Sequence, residues 1–261
     1  MLIQEVIDII EEFAPLHLQA GFDNSGLTCG DARRELSSAL LSLDVTEEVV
    51  REAIAVGANL IISHHPLLFH GIKRITPATY AERSVILAIK HDIALYAAHT
   101  NMDVVTRGVS GRMADKLDLL HREILHPEDG PDSPHGYGIM GELKNPVESR
   151  AFLLQLKERF RCPTLRHTLL HTPFVRRVAL CGGAGASFLP DAIARGADLY
   201  ISGDFKYHDF FLAENRVIIA DIGHHESEQF TKDIFYELLT KKIPKFAVRF
   251  SEINTNPINY L

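Results

Sequence analysis

The chain has 261 residues, 46% of them hydrophobic, with a formal net charge of −7 and a pI near 6.0. That is enough apolar material for one large domain or two small ones, and the acidic balance argues against nonspecific binding to nucleic acid or an anionic membrane. Three widely separated cysteines, Cys29, Cys162 and Cys181, without a CxxC pair, support neither a disulfide framework nor a thiolate zinc site, so a reducing cytoplasm is expected.

Leu2, Ile3, Val6, Ile7, Ile10 and Phe13 recur at helical spacing and stop at Pro15, which predicts a first amphipathic helix. Neither a basic, apolar leader nor an apolar run of about 20 residues is present, so no membrane association is expected. Gly21 to Leu27 is turn chemistry. Leu40 to Val45 reads as a strand, Thr46 as a helix N-cap, and Glu47 to Val56 as a helix stopped by Gly57. Leu60 to Ser63 follows as a buried strand, completing a βαβ unit that ends in His64-His65-Pro66. Two adjacent histidines serve one site only where the chain turns, and Pro66 marks such a turn. Solvated loop histidines are the bland alternative.

Tyr80 to His91 is expected to be a helix, and Ile93 to Ala98 a strand that delivers His99-Thr-Asn-Met-Asp103. Gly108 to Leu119 looks helical. His121 to Pro146 collects prolines, glycines and charges without a period, and reads as a connector or the start of a second domain. Val147 to Arg159 is a helix, and Arg177 to Leu180 a strand candidate. The turn Gly182-Gly-Ala-Gly185 matches neither the P-loop nor the dinucleotide fingerprint; a strand-to-helix turn is preferred over a phosphate cradle.

Residues 53–63, AIAVGANLIIS, recur as residues 192–202, AIARGADLYIS, identical at eight of eleven positions with a constant offset of 139. Shared helix-glycine-strand grammar is one explanation and duplication the other; the matches at both ends favour duplication. The expected fold class is therefore α/β, two interwoven α/β domains related by an internal repeat, with parallel strands in each. Residues 1–125, completed by 226–261, form the first expected domain and 126–225 the second. Where the first repeat has His64-His65, the second has Gly203-Asp204. Beyond it come a short helix from Asp209 to Glu214, a strand from Val217 to Ala220, then Asp221-Ile-Gly-His-His-Glu-Ser-Glu228 and a helix through Leu239.

Three strand ends thus carry metal-capable side chains: His64 and His65; His99 and Asp103; His224, His225 and Glu228. Imidazole and carboxylate without thiolate suit zinc, manganese, iron or another divalent first-row metal. Five or more candidate ligands, two of them carboxylates, exceed what one tetrahedral zinc needs and favour a bridged pair of cations.

At these residues the sequence resembles the GTP cyclohydrolase 1 type 2 homologue family, the NIF-three-like proteins. The matching motifs are Asp23-Asn-Ser-Gly26, Ser63-His-His-Pro66, His99-Thr-Asn-Met-Asp103, Ser202-Gly-Asp-Phe-Lys-Tyr-His208 and Gly223-His224 with Glu228, and they span essentially the whole chain. The resemblance implies an NIF-three-like fold, a dinuclear metal centre with two divalent ions per chain, and a toroidal homohexamer. It implies His64, His65, Asp103, His224 and Glu228 as ligands, with Glu228 touching both metals and His225 outside the set. Phe22 departs from the family pattern, standing where many relatives have Trp, and the middle insertion domain of larger members is absent. The function expected on this basis is a dinuclear metal-dependent hydrolase acting on a small nucleotide-like substrate, with ring opening of the GTP-cyclohydrolase type as its specific form and His99 as a group that orients the ligands or as a proton carrier. The alternative is a non-enzymatic hexameric metal-binding scaffold or metal chaperone.

Overall fold

The first helix, α1 (Ile3–Phe13), buries Ile3, Val6, Ile7 and Ile10, the stripe that the 3.6-residue period places on one face. The computed structural model describes residues 1–261 and divides into two units, residues 1–102 with 231–257, and residues 103–230 with 258–261. In the first unit the chain continues through β1 (Gly26–Cys29), β2 (Ala39–Ser42), α2 (Glu47–Val56), β3 (Leu60–Ser63), α3 (Tyr80–Lys90), β4 (Ala94–Ala97) and α4 (Thr100–Val104), whose last two residues belong to the second unit. The second contains α5 (Val109–Lys116), β5 (Leu120–Pro127), β6 (Gly136–Glu148), α6 (Ser149–Arg159), β7 (Arg166–His167), β8 (Phe174–Leu180), α7 (Leu189–Ala194), β9 (Leu199–Ser202), β10 (Ile218–Asp221) and α8 (His224–Glu228). The chain then returns to the first unit for α9 (Thr231–Lys242) and β11 (Val248–Phe250).

The first sheet has the order β1-β4-β3-β2-β11, parallel except for the edge strand β1, which runs antiparallel to β4. Helix α2 forms where the capping grammar places it. The Thr46 hydroxyl accepts from the Val49 amide, and Gly57 closes the helix at φ 73°, a left-handed conformation that costs glycine little. Its buried face, Val49, Val50 and Ala53, packs with Leu40, Ile61, Val85, Ala88 and Leu95. Burying each larger member of that cluster stabilises the unit by about 1.5–3 kcal/mol.

The second sheet has the order β5-β6-β8-β9-β10-β7, with β8, β9 and β10 parallel and the remaining pairs antiparallel. Its parallel part repeats the first sheet. Ala39 lies opposite Leu60 in β2 and β3, and Val178 lies opposite Leu199 in β8 and β9, both pairs related by the 139-residue offset of the sequence repeat. Gly196 ends the second crossover helix at φ 69°, as Gly57 ends the first. The duplication is therefore present in strand register as well as in sequence.

Residues 121–146 are not a connector. They hold most of the β5–β6 hairpin, which pairs antiparallel from Leu120 and Glu142 to Pro127 and Gly136. The strand signal was masked because β5 is largely exposed and because β6 uses glycines where neighbours crowd it. A Cβ on Gly136 would lie 2.3 Å from the His126 carbonyl oxygen, and one on Gly138 2.7 Å from that of Leu180. Asp129 and Gly130 at the hairpin end both have positive φ, 58° and 112°.

Candidate metal centre

In the first unit the functional side chains stand at the carboxyl ends of β3 and β4, the edge where parallel α/β sheets place ligands. The chain bends at residues 64 and 65, and the Ser63 hydroxyl fixes that bend by donating to the His65 carbonyl at 2.8 Å. As a result the two imidazoles turn toward each other, ring centres 4.9 Å apart, with His99 5.3 Å from His64 and 5.4 Å from His65. One ligand-capable atom from each of the three lies within 4.8 Å of the others.

Each of these rings is held by its Nδ1. That of His64, fully buried, lies 2.8 Å from the Ala98 carbonyl. The Nδ1 of His65 lies 2.7 Å from Asp44 Oδ1, whose other oxygen accepts from Thr255 at 2.7 Å. His99 Nδ1 lies 2.8 Å from Asp23 Oδ1. Asp23 belongs to the segment that reads as a plain turn in sequence. In the fold it clamps the β4 exit: its Oδ2 accepts from the Thr100 amide at 3.0 Å and from the Thr100 and Ser25 hydroxyls, while Ser25 Oγ accepts from the His99 amide at 3.1 Å. Burial opposes ionisation of Asp23, but the hydrogen bonds from His99 and Thr100 outweigh it and hold the carboxyl well below the usual range. Asp23 is thus a carboxylate at neutral pH.

In the second unit Glu228 is 3% exposed, its Oε2 lies 3.0 Å from His224 Nε2, and His224 Nδ1 lies 2.8 Å from Asp204 Oδ2. Carboxylate oxygens of Asp103 and Glu228 lie within 4.8 Å of each other. Burial works against a charge on His224, yet the two carboxylates prevail and raise its pKa from 6.5 to about 11 in the metal-free chain. His225, half-buried on the same helix, joins neither group.

The glycine turn after β8 also serves this group, though not as a phosphate cradle. Its amides are already engaged: Gly182 donates to Ser110 Oγ, Gly183 to Ser227 Oγ, and Gly185 to Ser202 Oγ. Gly183, at φ 62°, is bare because Glu228 lies against it; a Cβ there would meet Oε1 at 2.2 Å. Gly203 is bare for a similar reason, since a Cβ would meet the His224 amide nitrogen at 2.8 Å. Gly183, Asp23, Asp44 and Asp204 are the contributors that reading the sequence missed as site residues. Asp23 and Asp204 lie within two of the matching motifs, while Asp44 and Gly183 had only a strand-end position and their residue type to point to them.

The residues present fit a divalent metal. Four imidazoles have Nδ1 engaged by a carboxylate or a carbonyl, which leaves Nε2 as the working nitrogen of each; for His64, His65 and His224 that is the arrangement that orients metal-binding histidines. Buried imidazole and carboxylate oxygen without thiolate are the donors of zinc, manganese and iron(II).

An α/β fold of two repeats, each presenting histidine and carboxylate at strand ends with the donor chemistry to hold a metal ion, defines the class of protein. The particular family follows from similarity. Residues 1–257 match the family described as Duf34/NIF3 (NGG1p interacting factor 3), and the chain belongs to that family. It is 38% identical over 231 residues to a GTP cyclohydrolase 1 type 2 homolog of Clostridium perfringens, covering 87% of each chain. A Streptococcus pneumoniae protein of the same description is 34% identical over 270 positions, covering 100% of both. A Bacillus cereus protein described as related to NIF3 superposes with a TM-score of 0.92 at 25% identity, over 100% of this chain and 99% of that one. No helix is long and apolar enough to cross a membrane.

Proposed function

We propose that the protein is a dinuclear metal-dependent hydrolase of a small nucleotide-like substrate, with His64, His65, Asp103, His224 and Glu228 as the ligands. The observation that carries this is the common Nδ1 anchoring of the imidazoles, since ordering four histidine rings by separate acceptors is costly unless Nε2 has a task. A pair of divalent cations held there would polarise the scissile group and make water a nucleophile near neutral pH.

The chain's own residues have separable parts. Asp44 and Asp204 keep His65 and His224 in one tautomer and one orientation. Glu228, pressed against Gly183, presents its carboxylate in a fixed position. His99 is the proton carrier in this proposal: with Nδ1–H donated to Asp23, its Nε2 is the basic atom, and the ionised Asp23 stabilises the imidazolium once a proton is taken.

The proposal is tested by elemental analysis of protein purified without chelator, then by a hydrolysis screen of nucleotides. About two divalent ions per chain are expected. Ring opening of GTP, the activity named in the descriptions of the relatives, is the first substrate to assay. Formate release and loss of guanine absorbance should both require divalent metal and both stop in His64→Ala. Metal-loaded protein that turns over nothing in the screen would instead be a metal-binding scaffold. Assembly as a homohexamer belongs to the same proposal, and light scattering that gives a monomer at micromolar concentration would remove it.

A further inference from the structure

Phe22 is a large apolar side chain that is 70% exposed, and it sits beside the histidine group of the first unit. Its ring centre lies 6.3 Å from that of Phe69, edge to face, and Phe69 lies 5.8 Å from His99. The two phenyl rings thus form a wall that continues directly into the imidazoles.

Loop tips that carry exposed aromatics are usually loosely held, but this one is tied down on both sides. Asn24 Nδ2 donates to the Leu68 carbonyl at 2.6 Å, which joins the loop of Phe22 to the turn of Phe69. Asn24 and Ser25 amides donate to Asp23 Oδ1 and Gln19 Oε1 at 2.7 and 2.9 Å, and Asp23 is itself locked to His99 and Thr100. That network holds the His99 imidazole and ties the backbone segments that carry the two phenyl rings to one another. Exposing an apolar ring on so rigid a mount loses the benefit of burying it, and a flat ligand stacked on it would restore that benefit.

Building on the metal-centre function proposed above, we infer that Phe22 and Phe69 are the platform for a planar heteroaromatic ring of the substrate, held with its edge toward His99. An aromatic face accepts any flat ring, whereas His99 alongside, with Nδ1 engaged by Asp23, offers its Nε2 as a hydrogen-bond partner only to a ring that carries nitrogen or oxygen on its edge. Phe22 is then a specificity residue: it selects ring-bearing substrates over bare phosphates or sugars that the same metals would attract.

The chain contains no tryptophan, so Phe22→Trp introduces a single indole reporter at the platform. Metal-loaded wild type, Phe22→Ala and Phe22→Trp are titrated with GTP, ATP and inorganic tripolyphosphate by calorimetry, with metal content and sedimentation measured for each. Wild type is expected to bind both nucleotides at least about tenfold more tightly than tripolyphosphate, a gap in line with the loss of one stacking contact. Phe22→Ala should erase that gap with its metal content unchanged. In Phe22→Trp the gap should persist, and nucleotide but not tripolyphosphate should quench the indole. Nucleotides that bind no better than tripolyphosphate to wild type, or equally well to Phe22→Ala, would overturn the platform; so would an alanine variant that loses only its assembly. Wild type that holds no metal under these conditions would sink the metal-centre function instead, while nucleotide quenching of the indole in metal-free Phe22→Trp would still uphold the platform.

Discussion

The two repeats share a frame and part company at the ends of their strands. In both, a helix ends in a left-handed glycine, a buried strand follows with the same register to its neighbour, and a short five-residue helix stands after the next parallel strand. In the first repeat that framework delivers imidazoles from the end of β3, His64 and His65. In the second the same positions are Gly203 and Asp204, because the backbone of His224 occupies the space where a side chain on residue 203 would go. The second repeat therefore presents its imidazole one strand further along, from the end of β10, and uses the end of β9 to hold it: Asp204 is the acceptor for His224 Nδ1. One duplicated scaffold thus yields two kinds of strand end, one rich in histidine and one in which an acid orients a single histidine. Function diverged at the strand ends, where the packing of the frame is least affected.

The strongest way to break this comparison is at Glu228. Replacing it with Gln removes the anion proposed to lie between two cations, and Glu228→Gln should fall from about two bound metals to well under one per chain, whereas His225→Ala keeps about two. Equal metal content in the two folded variants, by elemental analysis, would show that the wrong residues are assigned. The orienting acids come next. Asp44→Asn and Asp204→Asn act at the ends of different repeats, yet each should weaken metal affinity about 10- to 100-fold in competition with a chelator dye. An effect confined to one of them would mean that only one repeat uses its acid in this way.

Gly203→Ala sharpens the steric part of the contrast. The added methyl would crowd the His224 amide at 2.8 Å and Gly223 at 2.9 Å, both backbone, and should destabilise the protein by about 1–3 kcal/mol in denaturant titration. Gly57→Ala, at the helix end of the first repeat, meets no atom within 4 Å and should cost only the left-handed backbone, about 1–2 kcal/mol.

The smallest effect concerns the thiols, one in the first unit and two in the second. Burial pushes the Cys162 thiol from 9.0 up to about 12 and that of Cys181 higher still, while Cys29 is raised less and is only half-buried. At pH 8 a thiol near 12 is only about one ten-thousandth ionised, so iodoacetamide should label Cys29 first and the other two only on unfolding. Because the folded values lie above the unfolded one, the stability that Cys162 contributes is complete below pH 9.0 and is lost as pH rises toward about 12. Rapid native labelling of Cys162, followed by mass spectrometry, would contradict its burial.

The amino-acid sequence alone determined the repeat and the locally coded elements within it. Thr46, Gly57 and the apolar run from Leu60 to Ile62 act locally, through capping, left-handed backbone and β-branching, so helix α2 and strand β3 were legible at their ends. His64 and His65 were legible as a pair because Pro66 announces the turn. Long-range packing decided the rest. Asp23, Asp44 and Asp204 stand 76, 21 and 20 residues from the histidines they hold, and no local pattern shows which histidine each acid meets. Gly183 and Gly203 are explained only by Glu228 and His224, which reach them through the fold. The β5–β6 hairpin and β11 lacked a clear apolar alternation, since their strands are largely exposed or lined with glycine, and they became strands because neighbours were there to pair with. Chain-local preferences set which segments are rigid, while hydrogen bonds between distant segments set which of their polar side chains are held in place to act.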